Sequence, residues 1–388
     1  MGSFEISRIP RISAGPGARS LAGALAAGLA GEGAHVLLIA DPGLVAAGLA
    51  AAGCVDDVKA SLRKAKLKFT TFSDFSSDPA ATQVDAASAL ARLHNSAVVV
   101  ALGGGSALDL GKAVAAIAKT RNSALHYELC RKPLPKSRLK SVCIPTTSGT
   151  GAETTRTAIL TRPDKAKIWL WGDTIKTDEI ILDPELTISL PAHLTAATGI
   201  DALVHAVEAA TNRNAHEGKN LFAYEAIRLI ALHLEHAVNE PGDITARAAV
   251  QRAAALAGIA IDNGGTAIAH NIGHALGSLR PIHHGRAVGV AMLASLPWNI
   301  AGDDGRYGAC ASAMGATPSA AGFVAAFETL LRACGLAVNI AAEFAGVTAQ
   351  QLALQMQRPE NAAMRSANWR DSSSADLLAL AQATLAAN

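Results

Sequence analysis

The pattern of apolar residues changes near the middle of the chain, and this change constrains the fold more than any other feature. In the first half, four short β-branched runs alternate with helical patterns, at residues 36–40, 98–102, 142–144 and 180–182. Such alternation predicts a parallel sheet in an α/β domain. In the second half, apolar residues recur at helical spacing, at residues 192–210, 221–238, 244–261 and 285–300. This spacing predicts an all-helical domain.

Two prolines mark the predicted boundary between these halves. Pro184 and Pro191 each interrupt a regular element that would run through them. We therefore predict an α/β domain over residues 1–188 and a helical domain over residues 189–388. Two domains agree with a chain of 388 residues, because about 150 residues is a common domain size.

The charge balance argues against nucleic acid as a partner. The chain has 34 Lys and Arg against 32 Asp and Glu, a net charge of +2, and only 17% of its residues are charged. Binding a phosphate backbone needs a basic surplus that this chain lacks. Because half of the residues are apolar, the composition predicts a compact protein rather than a disordered one.

Two further segments bear on the organisation of the chain. Residues 20–31 superficially resemble a signal peptide, but they are rich in Ala and Gly and lead directly into the predicted strand at 36–40. We therefore expect them to belong to the fold. Near the other end, residues 358–374 are polar and are predicted to form a loop before a final helix at 375–386.

The sequence also favours the cytoplasm and gives no reason to expect a membrane partner. No segment approaches the roughly 18 uninterrupted apolar residues of a membrane span. The five cysteines are scattered and never occur in Cys-x-x-Cys spacing. Neither a disulfide framework nor a thiolate metal site is therefore expected, which suits a reducing compartment.

A glycine-rich turn follows the predicted strand at residues 98–102. The strand runs into Gly103-Gly104-Gly105-Ser106, and a helical pattern follows over residues 107–118. Such a turn lets the backbone approach a phosphate, which the free N–H groups and the dipole of the helix would favour. It lacks the dinucleotide fingerprint, because residue 108 is Leu, and the triphosphate loop, because Ala113 follows Lys112. A purely structural turn is the alternative.

Two other strand ends strengthen the prediction of a nucleotide site. Residues 145–151 form a second polar, glycine-bearing turn after the next predicted strand. Asp41 closes the strand at 36–40, where a carboxylate can bind an adenosine ribose and repel a 2′-phosphate. NAD is therefore favoured over NADP. The alternative is that Asp41 belongs to an ordinary turn.

Histidine spacing in the second half predicts a metal site. Asp201 and His205 are four residues apart on a helical pattern, as are His270 and His274, so each pair shares one helix face. His283 and His284 follow closely. Imidazoles with one carboxylate suit Fe²⁺ or Zn²⁺. A zinc-protease motif is excluded because residue 271 is Asn. Spacing alone leaves open which of the four C-terminal histidines, 270, 274, 283 or 284, is not a ligand.

Taken together, these motifs resemble the iron-containing (group III) alcohol dehydrogenase family over nearly the whole chain. The matching stretches are residues 103–109 with Lys112, 145–150 with Glu153, 183–187, 194–203 with His205, and His270-x-x-x-His274-x-Leu276-Gly277. The resemblance implies a Rossmann-like dinucleotide-binding domain, a helical metal-binding and catalytic domain, dehydroquinate synthase-like architecture and a homodimer.

The resemblance also implies roles for individual residues. It assigns the metal to Asp201, His205, His270 and His284. It puts His274 beside the nicotinamide and the substrate, as the catalytic residue that passes a proton outward. The residues that it assigns to dinucleotide binding are Asp41 at the ribose and Gly104, Gly105, Ser106, Asp109, Thr146, Thr150 and Lys167.

The predicted function is that of an NAD(H)-dependent alcohol dehydrogenase or aldehyde reductase acting on short-chain primary alcohols. Fe²⁺ is the expected ion, with Zn²⁺ or another divalent ion as the alternative. It would supply Lewis acidity, so that a hydride can pass between the alcohol carbon and nicotinamide. Alternatives are a glycerol-type polyol dehydrogenase, a hydroxyacid-oxoacid transhydrogenase, and a nucleotide-binding regulatory protein with a structural metal.

Departures from the family pattern concern the substrate. The family commonly has Pro at position 283 and Asn at position 288, where this chain has His283 and Val288, and Trp298 stands where a His is frequent. Arg280 stands where an aromatic is frequent. A guanidinium in a pocket predicts a substrate with a carboxylate, sulfonate or phosphonate tail. The alternative is that Arg280 faces solvent or a subunit contact.

Overall fold

The computed structural model describes residues 3–45 and 52–387. The chain forms two compact units. The α/β unit comprises Arg8–Thr147 and Ala152–Ser189, and the helical unit comprises Met1–Ser7, Ser148–Gly151 and Leu190–Asn388.

The α/β unit is built on a six-stranded parallel sheet with strand order β1-β8-β5-β4-β2-β3, beside a β6–β7 antiparallel hairpin. The strands are β1 (Arg11–Ala14), β2 (His35–Ala40), β3 (Lys68–Phe72), β4 (Val98–Gly103), β5 (Lys140–Pro145), β6 (Thr157–Thr161), β7 (Lys167–Trp171) and β8 (Glu179–Leu182). The helices are α1 (Ala22–Ala30), α2 (Pro42–Val45), α3 (Ala52–Lys64), α4 (Ala81–Leu93) and α5 (Gly105–Ile117). Short 3₁₀ turns cover Ala18–Leu21, Ala124–Cys130, Asp173–Ile175 and Pro184–Thr187.

Burial on both faces explains why the central strands are almost continuously apolar. On β2, Leu37 and Ile39 belong to one apolar cluster, and Val36 and Leu38 belong to another. Helices cover each face of a parallel sheet, so residues of both alternations must be apolar. The four predicted strands are therefore present, as β2, β4, β5 and β8, and the predicted α/β class is confirmed.

The strands that were not predicted are exposed or polar. β1 has four residues, none of them buried, and lies at the edge of the sheet. β3 begins at the exposed Lys68, and none of its residues is fully buried. Buried and more exposed residues alternate along the β6–β7 hairpin. This alternation is typical of a two-stranded ribbon that buries one face only.

The helical unit has α-helices throughout, and no strand occurs among its described residues. They are α6 (Ala192–Thr211), α7 (Glu217–Asn239), α8 (Ile244–Gly264), α9 (Ile268–Leu279), α10 (His284–Asn299), α11 (Arg306–Ala313), α12 (Ala320–Ala333), α13 (Ala349–Met356), α14 (Ala362–Ala367) and α15 (Ser374–Leu385). The predicted all-helical second half is thus confirmed. The loop predicted at 358–374 is wrong in part, because a 3₁₀ turn (Pro359–Asn361) and α14 lie within it. Tertiary contacts hold this polar segment, since Asn271 donates hydrogen bonds to the carbonyls of Met356 and Asn361.

One core helix is long and apolar enough to cross a membrane by length and composition alone. This helix is α8, and 67% of its most apolar stretch is buried inside the protein. Core helices of soluble proteins have the same composition. Its buried alanines, such as Ala253 and Ala257, belong to the same apolar cluster as residues of α6 and α7.

Two short segments outside the second half belong to the helical unit. Ser7 donates hydrogen bonds to Asn263 Oδ1 (2.8 Å) and Asp262 Oδ2 (2.7 Å), at the end of α8. Gly149, in the segment Ser148–Gly151, packs closely against α6, because a Cβ atom there would lie 2.7 Å from Thr198 Cβ. Apart from these segments, the α/β unit ends at residue 189 and the helical unit begins at residue 190. The predicted α/β domain, residues 1–188, includes both segments.

Candidate metal and nucleotide sites

Helix α6 carries three ionisable residues of the candidate metal site on one face. Asp201, His205 and Glu208 follow one another at intervals of four and three residues, which brings their side chains to the same side of a helix. All three are almost completely buried, at 2%, 5% and 2% exposure. Such groups need charged or metal partners.

The next two helices bring two more histidines to this face. His270 lies in the first turn of α9, and His284 is the first residue of α10. Gly285 makes the approach of α10 possible, because a Cβ atom there would lie 2.1 Å from the carbonyl oxygen of Ala197 and 3.1 Å from Asp201 Cβ. A larger residue at position 285 would push His284 away from Asp201.

Three imidazole nitrogens converge on one carboxylate oxygen. Asp201 Oδ1 lies 3.6 Å from His284 Nε2, 3.7 Å from His270 Nε2 and 4.0 Å from His205 Nε2. Ligands about 2.0–2.2 Å from one tetrahedral ion are themselves roughly 3.4 Å apart. Asp201, His270 and His284 form a group of potential ligand atoms that all lie within 4.8 Å of one another.

His205 and His274 border this group. The ring of His205 stacks on that of His270, with centroids 4.4 Å apart. His205 is not part of the three-residue group found among the described residues. His274 is partly exposed, and its ring centroid lies 5.3 Å from that of His284 and 6.4 Å from that of His270. The structure thus brings all five predicted residues into one region.

Unsatisfied buried atoms test whether these residues fit a divalent ion. Within the described part of the chain, Asp201 Oδ1 and His270 Nε2 are buried and have no hydrogen-bond partner. Buried polar atoms without partners are rare and costly unless an ion or water satisfies them. One carboxylate with imidazoles is a donor set for Fe²⁺ or Zn²⁺. The site therefore fits the predicted metal.

The ionisable groups of the candidate metal site shift one another's pKa values. Burial disfavours ionised Asp201, yet His205, His284 and His270 hold the pKa of this carboxyl well below its usual range. Burial lowers the pKa of His205 to about 4, so this imidazole is neutral near pH 7. Burial also opposes the charged form of His270, but Glu208 and Asp201 outweigh it and raise its pKa to about 9. Metal binding at His270 Nε2 would therefore release a proton from this ring.

Glu208 is the residue of this site that sequence reasoning missed. Its carboxylate lies 2.6 Å from His270 Nδ1. The sequence contained one signal for Glu208. It lies seven residues after Asp201 on α6 and therefore on the same helix face as the predicted ligands.

The candidate nucleotide residues lie at the carboxyl ends of three neighbouring strands. Asp41, Gly104 and Thr146 follow β2, β4 and β5, which are adjacent and parallel. The backbone N–H of Asp41 donates to Leu102, and that of Thr146 donates to Gly103. Nucleotides bind at the carboxyl edge of such sheets, where the order of strands reverses, and here β3 and β4 flank β2 on opposite sides.

The N-terminus of α5 is shaped for a phosphate. Gly103 has a φ of 151°, and a Cβ atom there would lie 2.7 Å from both Ala107 Cβ and Asp41 Cβ. No side chain of the described residues caps the helix at Gly104. The first N–H groups of α5, beginning at Gly105, are therefore available to an anion. This arrangement fits a dinucleotide pyrophosphate.

Other predicted dinucleotide residues are engaged in hydrogen bonds within the α/β unit. Ser106 Oγ accepts from the backbone N–H of Asp78, and Lys167 Nζ lies 3.0 Å from Asp78 Oδ1. Asp109 Oδ2 accepts from the N–H of Ile159 (3.1 Å). Burial raises the pKa of Asp109, although the neighbouring Lys112 opposes this shift. Thr150, by contrast, belongs to the helical unit.

The two arginines that flank His284 differ in their contacts. Arg286 donates to the carbonyls of Ala337 and Asn339 and to Glu343 Oε1, at 2.6–2.7 Å. Arg280 follows α9 and is exposed, and its guanidinium has no hydrogen-bond or ion-pair partner among residues 3–45 and 52–387. Of these two arginines, Arg280 is therefore the one whose charge the described protein leaves unpaired.

Comparisons with known proteins identify the family of this chain. Residues 10–184 match the model of the family "Iron-containing alcohol dehydrogenase", and residues 195–385 match that of "Fe-containing alcohol dehydrogenase family, C-terminal". The chain is 35% identical to choline dehydrogenase of Bacillus subtilis (strain 168) over 72% of this chain and 69% of that protein. It is 34% identical to NAD-dependent methanol dehydrogenase of Bacillus methanolicus, over 71% and 72% of the two chains.

A solved structure extends the similarity over the full length. Sulfoacetaldehyde reductase from Bifidobacterium kashiwanohense, determined in complex with NAD⁺, superimposes with a TM-score of 0.89 and 26% identity, covering 100% of both chains. The fold, the family models and these relatives lead to one conclusion. The chain belongs to the iron-containing alcohol dehydrogenase family and is an oxidoreductase.

Proposed function

We propose that this protein is a metal-dependent NAD(H)-linked aldehyde reductase and alcohol dehydrogenase whose substrate is a short aldehyde with an acidic tail. The observation that carries the proposal is the convergence of three imidazole nitrogens on Asp201 Oδ1, within 3.6–4.0 Å. The metal ligands of this proposal are Asp201, His205, His270 and His284. A divalent ion held there supplies Lewis acidity to the substrate oxygen.

The accessibility of the site supports a catalytic rather than a structural ion. His270 and Asp201 are buried, but 28% of the side chain of His284 is exposed. A structural metal site is closed by four protein ligands, whereas a catalytic one keeps a position for the substrate. Neither the regulatory-protein alternative nor the polyol and transhydrogenase alternatives gains support from an observation on this chain.

In this proposal His274 moves the proton of the reaction. It lies on α9 one turn beyond His270, and its ring is partly exposed beside that of His284. An imidazole changes charge near neutral pH, so it can accept the alcohol proton and release it to water. The α/β unit binds the nucleotide through its glycine-rich turn and the neighbouring strand ends.

Arg280 supports an acidic substrate tail. Its guanidinium is unpaired within the described chain, whereas Arg286 is fully occupied by Ala337, Asn339 and Glu343. Sulfoacetaldehyde, named for the similar reductase of known structure, is an aldehyde with such a tail. A guanidinium binds a sulfonate or carboxylate through two parallel charge-assisted hydrogen bonds.

Paired substrates test this proposal. Sulfoacetaldehyde and 3,3-dimethylbutanal have the same shape, but only the first is charged, and NADH oxidation follows the turnover of either. We expect wild type to prefer sulfoacetaldehyde. Arg280→Ala should lower kcat/KM for sulfoacetaldehyde roughly 10- to 150-fold, the equivalent of about 1.5–3 kcal/mol, and leave 3,3-dimethylbutanal almost unchanged.

Arg286→Ala is the matched control. Since Arg286 binds only protein groups, its removal should affect both aldehydes equally. A wild-type preference for the neutral aldehyde, or an equal effect of Arg280→Ala on both substrates, would exclude the acidic tail and leave a general short-chain alcohol dehydrogenase. Failure to oxidise NADH with either aldehyde, with or without added Fe²⁺ or Zn²⁺, would reject the proposed activity itself.

Asp41 leads to a prediction about the choice of cofactor. Its carboxylate follows β2 and accepts a hydrogen bond from the N–H of Gly43 (2.9 Å). Beside the adenosine ribose it would repel a 2′-phosphate. We expect Asp41→Gly and Asp41→Ser to raise the NADPH-to-NADH ratio of kcat/KM by at least ~10-fold, because like charges in contact cost several kcal/mol. The Ser side chain retains a hydrogen-bond acceptor for the N–H of Gly43, so Asp41→Ser removes the charge without removing this contact of the turn. An unchanged NADPH-to-NADH ratio in both variants would mean that Asp41 is only a turn residue.

We also propose that the enzyme works in the cytoplasm as a homodimer. All five cysteines are free, including the exposed Cys130, which suits a reducing compartment. β1 is an edge strand with Ile12 38% exposed, and an edge strand offers unpaired backbone groups to a second copy. Light scattering measures the assembly directly, and the mass of a single 39.6 kDa chain would contradict the dimer.

A further inference from the structure

Glu208 makes three hydrogen bonds from a completely buried position. It lies on α6, and its side chain is 3% exposed. The carboxylate accepts from the backbone N–H of Ala267 and from that of Ala269, both at 2.7 Å, and it contacts His270 Nδ1 at 2.6 Å. A buried carboxylate with three donors is held in one orientation.

Two of these donors belong to the beginning of α9. The N-cap residue, Ala267, has no side chain that could accept from the first turn. Glu208 takes this role from a neighbouring helix, and its negative charge suits the positive end of the helix dipole. The carboxylate thereby ties α9 to α6, the helix that carries Asp201 and His205.

The third donor determines which nitrogen of His270 faces the candidate metal site. Both oxygens of the Glu208 carboxylate accept from backbone N–H groups, so in the third contact Nδ1 of His270 is the donor and carries the proton. A neutral ring with Nδ1 protonated has its lone pair on Nε2, and Nε2 is the atom that lies 3.7 Å from Asp201 Oδ1. Hydrogen bonds of this kind also fix the orientation of the ring.

We propose that Glu208 is a positioning residue that holds His270 in its metal-binding tautomer and orientation. The inference rests on the proposed metal site, which it extends by a residue that does not itself bind the ion. Glu208 therefore contributes to metal affinity in addition to capping α9.

The number of acceptor sites predicts the effect of an isosteric amide. Glu208→Gln keeps the size of the side chain but replaces one oxygen by an NH₂ group that cannot accept. A single amide oxygen cannot serve Ala267, Ala269 and His270 as the two carboxylate oxygens do. An NH₂ group facing His270 would favour a proton on Nε2 instead, and such a ring cannot bind the metal.

Cobalt binding measures this effect without reference to turnover. Co²⁺ is titrated into the metal-free full-length protein against a competing chelator, and its visible absorption reports the coordination geometry. We expect Glu208→Gln to raise the Co²⁺ dissociation constant 10- to 100-fold and to change the absorption bands. Glu208→Asp, which keeps the charge but shortens the side chain, should lie between wild type and Glu208→Gln.

Asn271→Ala is the matched control for the capping role. Asn271 is buried on α9 next to His270, and it donates to Met356 and Asn361 rather than to the candidate metal site. Its loss should lower the melting temperature with little change in Co²⁺ affinity. If Glu208→Gln lowers the melting temperature but binds Co²⁺ within twofold of wild type, Glu208 is a helix cap only and the inference is wrong.

A measurement on the wild-type protein tests the inference even if the Glu208 variants do not fold. In the Zn²⁺-loaded enzyme labelled with ¹⁵N-histidine, the His270 resonances should show a protonated Nδ1 and a metal-bound Nε2. A proton on Nε2, or metal bound through Nδ1, would overturn the inference. Wild type that binds neither Co²⁺ nor Zn²⁺ would reject the proposed metal site as well, so the two failures are distinguishable.

Discussion

We expect His270→Ala to abolish turnover and to lower the content of bound metal. His270 Nε2 is buried, has no hydrogen-bond partner among the described residues and lies 3.7 Å from Asp201 Oδ1. Alanine removes this nitrogen and also leaves Glu208 without one of its three donors. Losing the Lewis acid is worth several kcal/mol of transition-state stabilisation, so kcat/KM should fall by roughly a thousandfold or more. His284→Ala should behave in the same way, because its Nε2 lies 3.6 Å from the same oxygen.

Binding of NADH separates this effect from unfolding. The candidate nucleotide residues at the ends of β2, β4 and β5 belong to the α/β unit, which His270→Ala does not alter. Metal content follows from elemental analysis, and NADH binding follows from fluorescence titration. His236→Ala is the control, because His236 is exposed on α7 and pairs with Asp243. Wild-type activity and metal content in His270→Ala would refute the ligand assignment.

Lys112→Met should destabilise the α/β unit more than any other single change that we consider there. Lys112 lies on α5 and is 0% exposed. Its ammonium donates to the carbonyls of Ala152, Thr155 and Thr157 and lies 3.2 Å from Asp109 Oδ1. Methionine fills the space but leaves these carbonyls without a donor and Asp109 without its counter-charge. Removing one partner of a buried ion pair costs about 3–5 kcal/mol.

Urea unfolding followed by circular dichroism measures the change in the free energy of unfolding. Lys119→Met is the matched control, since Lys119 follows α5, is exposed and donates one weak hydrogen bond to Ser137 at 3.3 Å. That variant should lie within about 0.5 kcal/mol of wild type. A loss of less than about 1 kcal/mol in Lys112→Met would mean that water replaces the ammonium, and the proposed role of Lys112 would be wrong.

Elements buried on all sides were predictable from the sequence. β2, β4, β5 and β8 are apolar because both faces of the parallel sheet are covered. The long helices α6 and α8 have apolar residues at the spacing that helix packing requires. The edge strand β1 left no such pattern, since its residues are largely exposed. α14 likewise has one buried residue, Met364, and therefore left no apolar pattern; Arg365 on this helix donates a hydrogen bond to the carbonyl of Met356.

Local spacing also predicted the chemistry of the candidate sites. Asp201 and His205 share a helix face because they are four residues apart, and the glycines after β4 indicated an anion site because of their backbone freedom. These features depend on neighbours in the sequence, so spacing alone indicated the types of ligand. The family, and with it the full ligand set, came from the resemblance of the motifs to a known family.

Only the tertiary structure decided which distant groups meet. It brought His270 and His284 within 4 Å of Asp201. For His284 this is possible because Gly285 lets α10 approach α6. It paired Arg286 with Glu343 while Arg280 stayed exposed, although both flank His284 in the sequence. It also joined Glu208 to His270, 62 residues apart. Such contacts depend on how helices pack, and residue spacing along one chain segment contains no information about the packing of another.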